Sequence, residues 1–120
     1  MAKRQSIQIE GARHGAPIPM ASRIGNILMS SAIGGQGETP EEVAESMFNN
    51  VRAVLKQAGT TPDSIIKMVV LMQDNDLRKH IDPEWLKMFP DEDSRPARHA
   101  EVPTRLAQKF FAVEITAVID

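Results

Sequence analysis

Apolar and polar positions along this chain change period several times, and each change marks an element. Ser6-Ile7-Gln8-Ile9-Glu10 alternates strictly and predicts a short strand. Ile27-Leu28-Met29-Ser30-Ser31-Ala32 is apolar enough to predict a second strand buried on both faces, with turn or extended coil from His14 to Pro19 between the two. Gly34, Gly35 and Gly37 predict a mobile loop. No strand-GxxxxGK[ST]-helix pattern accompanies them, so they do not read as a phosphate cradle.

Thr39-Pro40-Glu41-Glu42 is a capping box, with Thr39 as N-cap, Pro40 at the first helical position and Glu42 reaching back. The helix it opens has Val43, Met47, Val51, Val54, Leu55 and Ala58 at three- and four-residue spacing, and Gly59 supplies the left-handed residue that ends it. Ile65 to Met72 is β-branched and mostly apolar, which predicts a central strand. Asp74-Asn75-Asp76 turns the chain into a second helix. Pro83 interrupts that pattern, so a first turn from about Leu77 is expected to break and Asp82 to cap a new segment carrying Trp85, Leu86 and Phe89, stopped by Pro90. Strands near Arg98–Val102 and Phe111–Ile119 complete a β-β-α-β-α-β-β order in one domain over residues 1–120.

At 120 residues, the chain can bury about 65% of its unfolded surface, and association with copies of itself would bury more. A net charge of −2 and a pI near 5.9 supply no bulk positive field for nucleic acid. No cysteine is present, which excludes disulfides, zinc-thiolate sites and a thiol nucleophile. No apolar run approaches the ~20 residues of a membrane span, and no apolar stretch follows the basic start, so a soluble cytoplasmic protein is expected.

Candidate chemistry concentrates near the C-terminus. Arg95-Pro96-Ala97-Arg98-His99 offers guanidinium forks for a carboxylate, with Arg98 the best placed, although Arg95, Arg98 and Arg105 also fit solvated surface charges. Glu114 lies in the alternating run Phe111 to Val118 and points away from its more apolar face. It suits either a solvated outward face or the handling of a water. Ser31 sits in an apolar strand where its hydroxyl needs a partner. His14 and His99 stand alone, without a third ligand at metal spacing, so no metal is expected, and no Gly-x-Ser-x-Gly elbow supports a hydrolase triad.

Taken in order, these segments resemble the reactive intermediate deaminase family, also called Rid or YjgF-like. The landmarks are Gly25-Asn26 before Ser30-Ser31, Gly37-Glu38-Thr39-Pro40, Asn50-Val51 through Ala58-Gly59, Ile65 to Leu71, Trp85 to Phe89, Arg95-Pro96-Ala97-Arg98, and Val113-Glu114-Ile115-Thr116-Ala117. The resemblance implies a chorismate-mutase-like α+β fold, one mixed sheet backed by two helices, assembled as a homotrimer with sites in the clefts between subunits. Family members that are enzymes hydrolyse small anionic imines or enamines, such as 2-aminoacrylate, to a keto acid and ammonia without metal or cofactor. It implies that Arg98 binds the substrate carboxylate, that Glu114 orients the attacking water and that Ser31 lines the cleft. The rival reading is a trimeric binding or regulatory protein that keeps Arg98 for a 2-oxo acid without catalysing.

The chain also departs from the family pattern. Ile18 stands where a tyrosine is common, Ala32 where a glycine is common, Asp82 where an asparagine is common and Ala100 where a cysteine is common. His14 and His99 are candidates to fill the altered pocket, which would suit a different and possibly larger unsaturated 2-amino acid.

Overall fold

The computed structural model describes residues 3–120. Six strands form one mixed sheet, and two helices cover one face of it. In chain order these are β1 (Gln5–Ile7), β2 (Ala21–Ile24), β3 (Ile27–Ser30), α1 (Pro40–Gln57), β4 (Ile65–Met72), α2 (Arg78–Met88), β5 (Ala97–Glu101) and β6 (Phe111–Val118). The sheet order is β1-β2-β3-β6-β4-β5, with only β4 and β5 parallel. This is the expected mixed sheet packed against two helices, with one strand more than the expected order.

The added strand is β2, which pairs with β3 through a two-residue Gly25-Asn26 hairpin in which Gly25 has φ 58°. That left-handed residue is what such a tight turn requires. Arg23 then ties the hairpin to α1, donating from Nη1 to the Ala58 carbonyl at 2.6 Å.

α1 forms as its sequence dictates. The Glu42 N–H donates to Thr39 Oγ1 at 3.2 Å, while Glu42 Oε1 accepts from the N–H groups of Thr39 and Glu38 at 3.0 and 3.1 Å. At the other end Gly59 has φ 84°, and the Thr60 N–H donates to the Leu55 carbonyl at 2.9 Å, closing a Schellman-type stop. The buried face of α1, Val43, Met47, Phe48, Val51, Val54 and Leu55, packs on Met68, Val70, Val113 and Ile115 of the central strands.

Hydrogen bonds from the Glu38 and Thr39 backbones hold the Glu42 carboxyl below its ordinary value. A carboxyl depressed on folding stabilises the native state above its unfolded pKa, and that contribution is lost as pH falls through the lowered folded value. Glu42→Gln is therefore expected to cost stability at neutral pH, and the gap to the parent should close on acidification. Denaturant unfolding at several pH values, followed by helix circular dichroism, checks this; a gap that widens toward acid contradicts it.

α2 departs from expectation. A 3-10 turn at Asn75–Leu77, capped by Asp74, runs directly into an unbroken helix from Arg78 to Met88 with Pro83 inside it. Asp82 therefore caps nothing. The proline removes the donor that the Lys79 carbonyl would receive, but Lys79 and Pro83 both lie on the exposed side, where water can serve it. Smaller differences are strand ends: β1 stops at Ile7, β3 at Ser30 and β6 at Val118, while β5 begins at Ala97. Among the described residues, no helix is long and apolar enough to cross a membrane.

Candidate functional site

Strand register assigns each candidate to a face of the sheet. Arg98 pairs with Met68, and Met68 with Ile115, so Arg98 shares the helix-covered face with core residues. His99 pairs with Val69, and Val69 with Glu114, so both lie on the opposite, helix-free face. Parity is absolute in a strand, since successive side chains alternate. Arg98 and Glu114 of one chain therefore do not face each other.

On its own face Arg98 is surrounded by α2. Its Nη2 donates to Asp82 Oδ1 at 2.8 Å, and its guanidinium carbon lies 4.9 Å from the centre of the Trp85 ring. Asp82 and Trp85 stand three residues apart on one helix face, the spacing that makes neighbours on a helix surface. The pair thus holds the guanidinium by a charged hydrogen bond from one side chain and a cation–π contact with the other. Read from the residues alone, Asp82 is a cap and Trp85 only part of the helix segment; the family resemblance already sets Asp82 among the altered pocket positions. Ala100, two residues on from Arg98, shares that face and is half-buried.

Arg95 has a structural task. Its Nε donates to the Phe89 carbonyl at 2.9 Å and Nη2 to the Pro90 carbonyl at 3.4 Å, closing the end of α2. His99 is largely exposed at the sheet edge, with Nε2 3.5 Å from Glu101 Oε2.

Glu114 occupies a different setting. The Ile115 N–H donates to Ser30 Oγ at 2.8 Å, and Ile33 and Val113 exchange two backbone hydrogen bonds at 2.8 and 2.9 Å. Ser31 and Ala32 consequently stand together opposite Glu114, so the β3 side carries one extra residue and bulges there. Bulges of this kind redirect side chains and recur beside active sites. The Ser31 hydroxyl donates to the Pro19 carbonyl at 2.9 Å, which meets its need for a partner and fastens the segment before β2.

Ala32 of the bulge lines the first of two neighbouring cavities. That one, of about 280 Å³, is lined by Arg13, His14, Ala32, Gln36, Asn50 and Gln108 among others. The second, of about 290 Å³, shares Arg13 and His14 and includes Ile18. His14 Nε2 is buried without a hydrogen-bond partner among the described residues. Gly35 lets the loop press on α1, since a Cβ there would collide with the Val43 carbonyl oxygen.

The candidates thus form two groups. Glu114, Ser31, Ala32, Ile18 and His14 belong to the β1–β3 side and its seam with β6. Arg98, with Asp82, Trp85 and Ala100, belongs to the β5 edge, and His99 to the same edge but the other face. β6, which carries Glu114, is two strands from β5, about 10 Å at ~4.8 Å per strand, so the opposite face and not distance along the sheet separates Glu114 from Arg98.

Residues 20–119 match the protein family described as Endoribonuclease L-PSP. The chain is 30% identical over 114 residues to the RutC family protein PM1466 of Pasteurella multocida (strain Pm70), covering 85% of each chain. Among solved structures it is similar to RidA from the Antarctic bacterium Psychrobacter sp. PAMC 21119, with a TM-score of 0.86, 22% identity and coverage of 96% of this chain and 99% of that one. A Mycobacterium tuberculosis member of the YjgF/YER057c/UK114 family superposes with a TM-score of 0.85 at 17% identity, covering 98% of this chain and all of the other. At these identities the two structural likenesses carry the fold.

Proposed function

Because the chain belongs to the Endoribonuclease L-PSP family, whose members include the Rid and YjgF-like proteins, we propose that it hydrolyses a small anionic imine or enamine to a keto acid and ammonia. The observation that carries this reading is the separation of the two groups. A guanidinium fitted for a carboxylate lies at the β5 edge on the helix-covered face, and a carboxylate beside a bulge, two strands away on β6, lies on the helix-free face. Each is half of a site, and two copies of the chain would complete it.

Association is supported by the helix-free face, where Ile24, Ile27 and Met29 are each about half exposed on adjoining strands. Isolated apolar side chains on a surface are ordinary, but a contiguous set on one sheet face marks an interface. A homotrimer, with Arg98 of one subunit opposite Glu114 of another, is the arrangement proposed.

The chemistry asks little of the protein. The iminium form R₂C=NH₂⁺ is electrophilic; water adds to its carbon, the C–N bond then breaks, and R₂C=O and NH₄⁺ leave with atoms and charge balanced. Arg98 holds the substrate carboxylate, and Glu114 orients the water and takes its proton before passing it to the departing nitrogen. Ser31, His14 and His99 line the cleft. The word endoribonuclease in the family description raises RNA as an alternative substrate. It has less support here, because a net charge of −2 opposes phosphate contact and aromatic residues for base stacking make up only 4% of the chain.

The deciding assay generates 2-aminoacrylate enzymatically and follows keto-acid formation. The protein is expected to accelerate it, to run as a trimer in solution, and to lose most of the acceleration in Arg98→Ala. No acceleration of 2-aminoacrylate or larger imino-acid hydrolysis, together with intact 2-oxo acid binding, would instead support the non-catalytic binding protein. A monomeric mass would remove the shared cleft.

A further inference from the structure

We propose that Asp82 makes the Arg98 site selective for a zwitterion, a carboxylate next to a protonated nitrogen, over the purely anionic keto acid. This deepens the proposed function and rests on Arg98 as the carboxylate clamp.

Arg98 does not present itself as a bare cation. Asp82 Oδ1 already accepts from Nη2 at 2.8 Å, so the pair together carries no net charge. A guanidinium has five N–H donors, and among the described residues Arg98 spends only this one on a protein acceptor. The Trp85 ring lies beneath the group, its centre 4.9 Å from the guanidinium carbon. The unused donors still form a planar edge for a ligand carboxylate. Asp82 Oδ2 likewise takes no donor among the described residues, and the Asp82 side chain is 52% exposed. What the site offers a ligand is thus a donor edge beside a carboxylate oxygen.

An iminium acid, or its protonated 2-amino tautomer, matches both parts. Its carboxylate meets Arg98 while its nitrogen, on the adjacent carbon, lies within reach of Asp82. The keto acid produced by hydrolysis keeps the carboxylate and replaces the cationic nitrogen by a carbonyl oxygen, which faces Asp82 with no proton to give. Asp82 therefore attracts the substrate and repels the product. A neutral amide at this position would lose both effects while keeping the shape and the hydrogen bond to Arg98, so Asp82 is a specificity-determining residue.

The test uses the full-length protein and two stable probes, pyruvate for the anion and L-alanine for the zwitterion, each titrated by calorimetry. Asp82→Asn is expected to tighten pyruvate and weaken alanine, moving the ratio of their dissociation constants by about tenfold toward pyruvate, since removing a like charge from a ligand's neighbourhood is worth at least that much. Asp82→Ala should move it the same way, which guards against a fortuitous contact of the new amide. A ratio that stays within about threefold in both variants, or moves toward alanine, overturns the proposal. Arg98→Ala separates the two levels: if it abolishes binding of both probes while the Asp82 variants leave the ratio unchanged, the clamp stands and the selectivity fails. If Arg98→Ala leaves both probes bound, the clamp itself is wrong, and the proposal falls with it.

Discussion

Glu114→Gln is expected to lower kcat for imine hydrolysis by about 10²–10⁴-fold with KM changed far less. Glutamine keeps the shape and can still hydrogen-bond a water, but it cannot accept that water's proton, and the proton transfer is the step assigned to this side chain. Substrate affinity should persist because the carboxylate clamp comes from Arg98 on another element. Folding should persist too. Among the described residues the Glu114 carboxylate makes no hydrogen bond or ion pair, and it is half-buried on the helix-free face, so neutralising it removes a desolvation cost and breaks no contact. Steady-state kinetics with a coupled 2-aminoacrylate source, beside a melting curve, reads both quantities. A kcat within about threefold of the parent would mean that water is activated elsewhere.

Much of the scaffold behind that side chain is legible locally. The capping box, the apolar spacing of α1 and the Gly59 stop are each decided within a few residues, and the structure contains all three. The alternation of β6 correctly separates Val113, Ile115 and Ala117, which are buried, from Glu114 and Thr116, which are only partly so. β2 escaped because Ala21-Ser22-Arg23-Ile24 lacks an alternating apolar pattern; the Gly25-Asn26 pair was the signal that would have revealed it as half of a hairpin. Asp82-Pro83 carries the same local signature as an N-cap followed by a first-turn proline. What overrides it is nonlocal: α2 has already begun at Arg78, and Arg98, sixteen residues on, is brought to the carboxylate by the parallel pairing of β5 with β4.

The site itself was legible only as residue types. Whether Arg98 and Glu114 share a face depends on the registers of β5 and β6 against β4, which no local pattern specifies, and a shift of one residue would reverse the answer. The bulge at Ser31-Ala32 has the same origin. It exists because Ser30 and Ile33 both find partners on β6, and that leaves two residues opposite one. Selection on such a site acts through the sheet's pairing as much as through the reactive side chains.

Trp85→Ala is expected to cost about 3–5 kcal/mol of stability and to loosen ligand binding at the same time. The indole is only 8% exposed, and its ring centre lies 4.7 Å from that of Phe89 at an interplanar angle of 61°, an edge-on contact that contributes beyond its area. Removing it leaves a cavity under α2 and takes away the ring beneath the Arg98 guanidinium. Trp85→Phe distinguishes the two roles. It retains most of the buried volume, so the urea midpoint should recover most of the loss, but the smaller ring is a poorer seat for a cation and pyruvate should still bind more weakly than to the parent. Unfolding must be compared at one protein concentration, because assembly adds a concentration-dependent contribution. If Trp85→Phe restores stability and binding together, the indole serves packing alone, and Asp82 is the only side chain that orients Arg98.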